Sequence, residues 1–191
     1  MDFSCDCVYC RTKGYVWKVQ RNKVWIEIPK NGSAVLKQKH FKSRHPLKDS
    51  QILGQSKGIV VVRDPINRFK SMLSHYFIDG TRVNTGKYWL KKRLGITIFD
   101  GEDIADIILS NFDKLSSIEE PHHFFTQSSF IPKEFYFLPE TEFVNLDNLS
   151  ERFRVPKHNV SSSSSIVLSD EHVDRLKVLY EPDFELFDRV S

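Results

Sequence analysis

Apolar positions along the chain fall alternately into short β-type runs and helix-spaced stripes. From Gly14, "GYVWKVQRNKVWIEIP" holds two β-rich runs around Arg21, Asn22 and Lys23. That pattern predicts a hairpin whose second arm is a strand over 24–28. "SAVLKQKHF" then reads as a short helix capped by Ser33, followed by the polar connection "KSRHPLKDSQILGQSKG". "GIVVVR", residues 58–63, is an uninterrupted apolar run ending at a charge, the pattern of a central parallel strand buried on both faces. Asp64 and Pro65 supply a helix cap and a first-turn proline, and Ile66, Phe69, Met72 or Leu73, and Tyr76 follow at helical spacing. "TRVNTGKYWLKKRLG" shows no clean period and reads as a surface excursion, whereas "GEDIADIILSNFDKL" predicts one amphipathic helix over 102–115. "EFYFLPETEFVNLDNL" carries two further β-type runs separated by Pro139, the second giving a third core strand over 142–146. A serine run, 161–165, precedes a helix capped at Ser169 that reaches about Tyr180. Strand and helix in this order predict an α/β chain: a parallel sheet flanked by helices, with ligands at the carboxyl ends of the strands.

Composition narrows the picture. A chain of 191 residues that is 40% hydrophobic can bury one good core and is short for two full domains. The expectation is a single compact domain over 14–191 with a Cys-containing extension over 1–13. A net charge of +3 is too mild to demand nucleic acid and is compatible with an anionic ligand. No apolar run approaches the roughly 20 residues of a membrane span, and the first residues lack the basic and apolar regions of a leader. A soluble, cytoplasmic protein is therefore expected. Cys5, Cys7 and Cys10 all lie in "CDCVYC", so the body has no internal disulfide, which fits a reducing compartment. They could supply part of a zinc site, but no second pair completes four ligands, and the plainer reading is a terminus with incidental thiols and no metal. The N-x-S triplets at Asn31, Asn148 and Asn159 read as chance matches. No pattern in the chain bears on oligomeric state.

Two strand ends carry the candidate chemistry. In "IPKNGSA" the lysine precedes the glycine, unlike the phosphate loop G-x-x-x-x-G-K-[ST], where it follows. Lys30 and the backbone N–H groups of Gly32, Ser33 and Ala34 would still surround one point at a helix start, an anion site by helix-end geometry. The same stretch also reads as an ordinary strand-to-helix turn with an exposed lysine. In "VVVRDPINRFKSMLS" Arg63 leaves a buried strand and Ser71 lies two turns into the next helix. A guanidinium fork with a hydroxyl fits a phosphate. Arg63 paired with a neighbouring carboxylate, and Ser71 merely exposed, is the alternative.

Taken together, the two segments resemble the sulfotransferase superfamily. Its "PKxGS/T" loop holds the 5′-phosphosulfate of 3′-phosphoadenosine 5′-phosphosulfate (PAPS), and its "RDPxxRxxS" segment holds the 3′-phosphate. "HFFTQ", 123–127, "FVNLDNLSERF", "HNVSSS" and "YEPDFELF" resemble segments of the carbohydrate-type branch (sulfotransferase family 2), so the likeness runs in patches over 24–187. It implies a P-loop-NTPase-like sulfotransferase fold and transfer of a sulfuryl group from PAPS to an acceptor hydroxyl, with a carbohydrate as the acceptor class. By that likeness Lys30 neutralises the leaving 5′-phosphate, with Asn31, Gly32, Ser33 and Ala34 forming its loop. Arg63 and Ser71 would clamp the 3′-phosphate, and Ser161, Ser162 and Ser163 would close over the nucleotide. Asn31 stands where threonine or valine is frequent in that family.

The transfer needs a general base for the acceptor hydroxyl, and His40, His45, His75, His122 and His123 are the supply before the tail. The likeness favours His45, in "SRHPL", with His40 as its near alternative; His123 matches the family's H-x-x-x-Q segment. His45 reads equally as a solvated loop histidine, and His123 could instead shape the acceptor pocket or orient a phosphate. "KYWLKKRLG" could line an acceptor groove, with Trp89 stacking on a sugar, or be a solvated helix face. Two other classes stay open: a nucleotide-dependent P-loop kinase using Ser33 and Asp64 on a metal, and a non-catalytic nucleotide- or glycan-binding module.

Overall fold

The structure, a computed structural model, describes residues 16–20, 22–31, 49–78, 83–99, 101, 103–116, 124–154 and 166–191. The expected helix after Ser33 and the serine run lie outside these residues. In chain order the elements are β1 (Val16–Gln20), β2 (Lys23–Ile26), α1 (Asp49–Ile52), β3 (Lys57–Val62) and α2 (Pro65–Leu73). There follow a π-helical turn (Ser74–Ile78), α3 (Val83–Leu94), α4 (Ile104–Ser110), α5 (Phe112–Ser116) and β4 (Glu140–Asn145). The chain ends in α6 (Leu149–Phe153), α7 (Asp170–Leu179) and α8 (Glu181–Asp188).

Contacts divide the chain into two compact units: the described residues within Met1–Asp64, Phe125–His158 and Pro182–Ser191, and those within Pro65–Phe124 and Asn159–Glu181. The first unit holds the sheet, in the order β1-β2-β3-β4. β2, β3 and β4 run parallel, and β1 adds an antiparallel edge through the hairpin at Asn22, whose φ of 56° suits an asparagine in a tight turn. Register pairs Trp25 with Ile59 and Val61 with Val144.

Period-two alternation sorts the strand residues onto two buried faces. Val24, Ile26, Val60 and Val62 pack with Ile28, Ile52, Phe135 and Leu186 on one side; Trp25, Ile59, Val61 and Val144 pack with Leu149 on the other. Each such side chain, fully buried, contributes about 1.5–3 kcal/mol. Gly58 opens the apolar run because nothing larger fits: a Cβ there would stand 2.7 Å from the Phe135 ring and 2.9 Å from Leu138. The segment carrying Phe135 was expected as a strand. It is instead a 3-10 turn, Lys133–Phe137, entered from Pro132, and Tyr136 and Phe137 are exposed. Proline presets the turn, and the flanking aromatics made it look β-like.

The second unit is helical. Phe69 of α2 and Phe112 of α5 meet the Tyr180 ring edge-on, with centroids 6.4 and 5.1 Å away, and the buried Tyr180 hydroxyl donates to the Phe124 carbonyl at 2.7 Å. The helix expected over 102–115 is two helices, α4 and α5, separated at Asn111, whose side chain donates to the Ile107 carbonyl at 2.9 Å. An asparagine that bonds its own backbone competes with helix continuation. The stretch read as a surface excursion is α3. Among its described side chains Gly86 and Leu90 are the buried positions, and a Cβ on Gly86 would fall 2.2 Å from the Tyr76 carbonyl. α7 starts as expected at Ser169, with a capping box whose third residue is His172. Among the described residues no helix is long and apolar enough to cross a membrane.

Candidate functional site

Parallel strands leave their last backbone groups at the carboxyl edge, where the chain must turn and ladder partners run out. In the first unit β2 and β3 end side by side, and the residues beyond them are Glu27 to Asn31 and Arg63. Asn31 N–H donates to the Ile28 carbonyl at 3.1 Å, closing a turn that Pro29 begins. Lys30, inside that turn, has φ +69°. A left-handed non-glycine residue is strained by about 1–3 kcal/mol, and such strain gathers at ligand sites.

The Arg63 guanidinium donates through Nη1 to the Lys30 carbonyl at 3.0 Å. The two cationic residues that separate motifs nominated are therefore neighbours at adjoining strand ends, both half-buried. A point charge on a flexible stem and a planar fork with five donors together suit an oxyanion with several oxygens.

Neutral amides hold this arrangement. Asn31 is wholly buried, and its Nδ2 donates to the Val61 carbonyl at 2.7 Å and to Gln127 Oε1. Gln127, also wholly buried, accepts the Arg63 N–H on Oε1 at 2.9 Å and donates Nε2–H to the Arg63 carbonyl at 2.8 Å. Gln127 is itself anchored from α8: Asp183, wholly buried, accepts the N–H of Gln127 at 2.7 Å and of Ser128 at 3.0 Å. Asn31 Oδ1 has no hydrogen-bond partner among the described residues. A buried acceptor left without a donor costs about 1–3 kcal/mol, a deficit a ligand or solvent donor can relieve.

Of the residues nominated from sequence, the fold brings Lys30, Asn31 and Arg63 together. Ser71 is buried in α2, in the second unit. Gly32, Ser33, Ala34, His40, His45, His123, Ser161, Ser162 and Ser163 lie outside the described residues. Two members of the cluster were not nominated, Gln127 and Asp183. Both stand in segments singled out by likeness, "HFFTQ" and "YEPDFELF", but nothing in either segment signals that its polar residue is buried. The Asn31 side chain is the link between the two strand ends. Comparison with protein-family models, curated proteins and solved structures finds no match to this chain.

Proposed function

We propose that the chain is a PAPS-dependent sulfotransferase with a carbohydrate hydroxyl as acceptor class and a sulfotransferase-type fold. The observation that carries this reading is the 3.0 Å bond from Arg63 to the Lys30 carbonyl, which brings together two motifs whose cationic residues are 33 positions apart. In the reaction the acceptor oxygen attacks sulfur, the bond from sulfur to the 5′-phosphate oxygen breaks, and the acceptor proton passes to a base. His45, His40 and His123 are the nominees for that base. Lys30 offsets the charge that grows on the leaving phosphate, as electrostatic stabilisation requires. Arg63 holds a phosphate of the same nucleotide, and the family likeness adds Ser71 to that role. A lysine ahead of the glycine needs no magnesium partner, which separates this reading from an ATP-dependent kinase.

Calorimetric titration of 3′-phosphoadenosine 5′-phosphate and of ATP into wild type, Lys30→Ala and Arg63→Ala tests it. The bisphosphate is expected to bind far better than ATP. Each substitution should weaken it by about 1.5–3 kcal/mol, roughly 10- to 150-fold, the range for charged hydrogen bonds. Lys30→Ala keeps the carbonyl that Arg63 uses, so its effect reads the ammonium alone. ATP binding as tight as the bisphosphate, or indifference to Arg63→Ala, would sink the assignment.

A further inference from the structure

We propose that Gln127 is the positioning residue of the anion site at Lys30 and Arg63, and that Asp183 in turn sets Gln127. The proposal rests on reading Lys30 and Arg63 as nucleotide-binding residues. Arg63 is the first residue past β3, where ladder bonding stops. Its main chain is nevertheless paired on both sides, because the Gln127 amide takes its N–H at 2.9 Å and its carbonyl at 2.8 Å, as a neighbouring strand would. The same Oε1 receives Asn31 Nδ2, whose other hydrogen goes to Val61. One amide therefore ties the exit of β2 to the exit of β3, and the Arg63 backbone direction it sets is the one from which the guanidinium reaches Lys30. Asp183 fixes where that amide starts by taking the backbone N–H groups of Gln127 and Ser128. A side chain that only filled space there would need neither a donor nor an acceptor.

The discriminating change is Gln127→Glu, which keeps the shape. As a carboxylate it has no hydrogen for the Arg63 carbonyl and the two oxygens repel; as a neutral acid its O–H restores that bond. Burial and the Asp183 carboxylate raise the new group's pKa, whereas Arg63 and Lys30 lower it. The experiment measures affinity for 3′-phosphoadenosine 5′-phosphate, and separately for inorganic pyrophosphate, at about pH 8 and about pH 5.5. Each value is taken as a ratio to wild type, so that titration of the ligand phosphates cancels, and at a temperature where circular dichroism shows both proteins folded. The expected ratio is a loss on the order of tenfold at the higher pH that returns towards unity at the lower. Should Gln127→Glu not fold, Gln127→Asn keeps a neutral amide but falls a methylene short, and is expected to lose affinity with no recovery on acidification.

Affinity equal to wild type in these variants at both pH values overturns the proposal, and so does a Gln127→Glu loss that does not recover. If pyrophosphate binds and the bisphosphate does not, the nucleotide reading fails while the pyrophosphate ratios still decide the role of Gln127. If wild type binds neither probe, there is no anion site to position and the proposal falls.

Discussion

The two ends of β3 are held by different chemistry. At the amino end Lys57 meets Glu140 and, at 2.7 Å, Glu142, while Arg152 reaches the same Glu142 at 2.7 Å. At the carboxyl end the Arg63 backbone is gripped by the buried amide of Gln127. Ion pairs in contact with water are worth about 0–1 kcal/mol each. A satisfied buried amide has a small net value too, but breaking it strands polar groups at about 1–3 kcal/mol apiece. One end therefore tolerates change and the other does not.

The strongest test of this contrast is Asp183→Ala, which strands the buried N–H of Gln127 and the part-buried N–H of Ser128. We expect a loss of about 3 kcal/mol in urea unfolding, the range for hydrogen bonds to a charged acceptor; a loss below about 1 kcal/mol would show that the carboxyl end is no less tolerant than the amino end. Lys30→Gly should act in the opposite direction. Relief of the left-handed backbone is expected to add about 0.5–1 kcal/mol of stability, while the proposed bisphosphate affinity falls by the same roughly 10- to 150-fold as in Lys30→Ala. No gain in the urea midpoint would mean that the turn stores no strain.

The smallest effect is expected at the amino end. Burial pushes the Glu142 carboxyl up, but hydrogen bonds from Lys57 and Arg152 outweigh it, so Glu142 titrates below its ordinary value of 4.5. A depressed folded value means that its contribution is complete above that ordinary value and fades as pH falls through the folded one. Glu142→Gln should thus cost about 0.5 kcal/mol or less at neutral pH and low salt. The difference from wild type should close in acid and at high salt. A salt-insensitive loss of several kcal/mol would erase the distinction between the two ends. Lys57 is shifted the other way, held above its ordinary value by its hydrogen bonds to Glu140 and Glu142. Its share lasts until the pH passes that raised value.

Much of the scaffold was legible because its signals are local. Val24 to Ile26 and Gly58 to Val62 are apolar on both faces, Pro65 suits the first turn of a helix, and Ser169 caps α7 through bonds within four residues. Errors came where local preference and packing disagree. Phe135 reads as a strand residue, but Pro132 and the space above Gly58 place it in a 3-10 turn. The solvated helix face read in "KYWLKKRLG" is present in α3, but its full extent was not legible because Gly86 contributes to the buried face by having no side chain, which a hydrophobic period does not register.

By itself the sequence determined that three core strands run parallel and that charged residues follow two of them. Those properties follow from residue types and spacing. Only the tertiary structure decided that Lys30 and Arg63 touch, that Asn31 is a buried link, and that Gln127 and Asp183 join the same hydrogen-bonded cluster. Asn31 and Gln127 are 96 residues apart, and an amide is as ordinary on the surface as in the interior. Only burial leaves it the backbone and its fellow amides as partners in place of water.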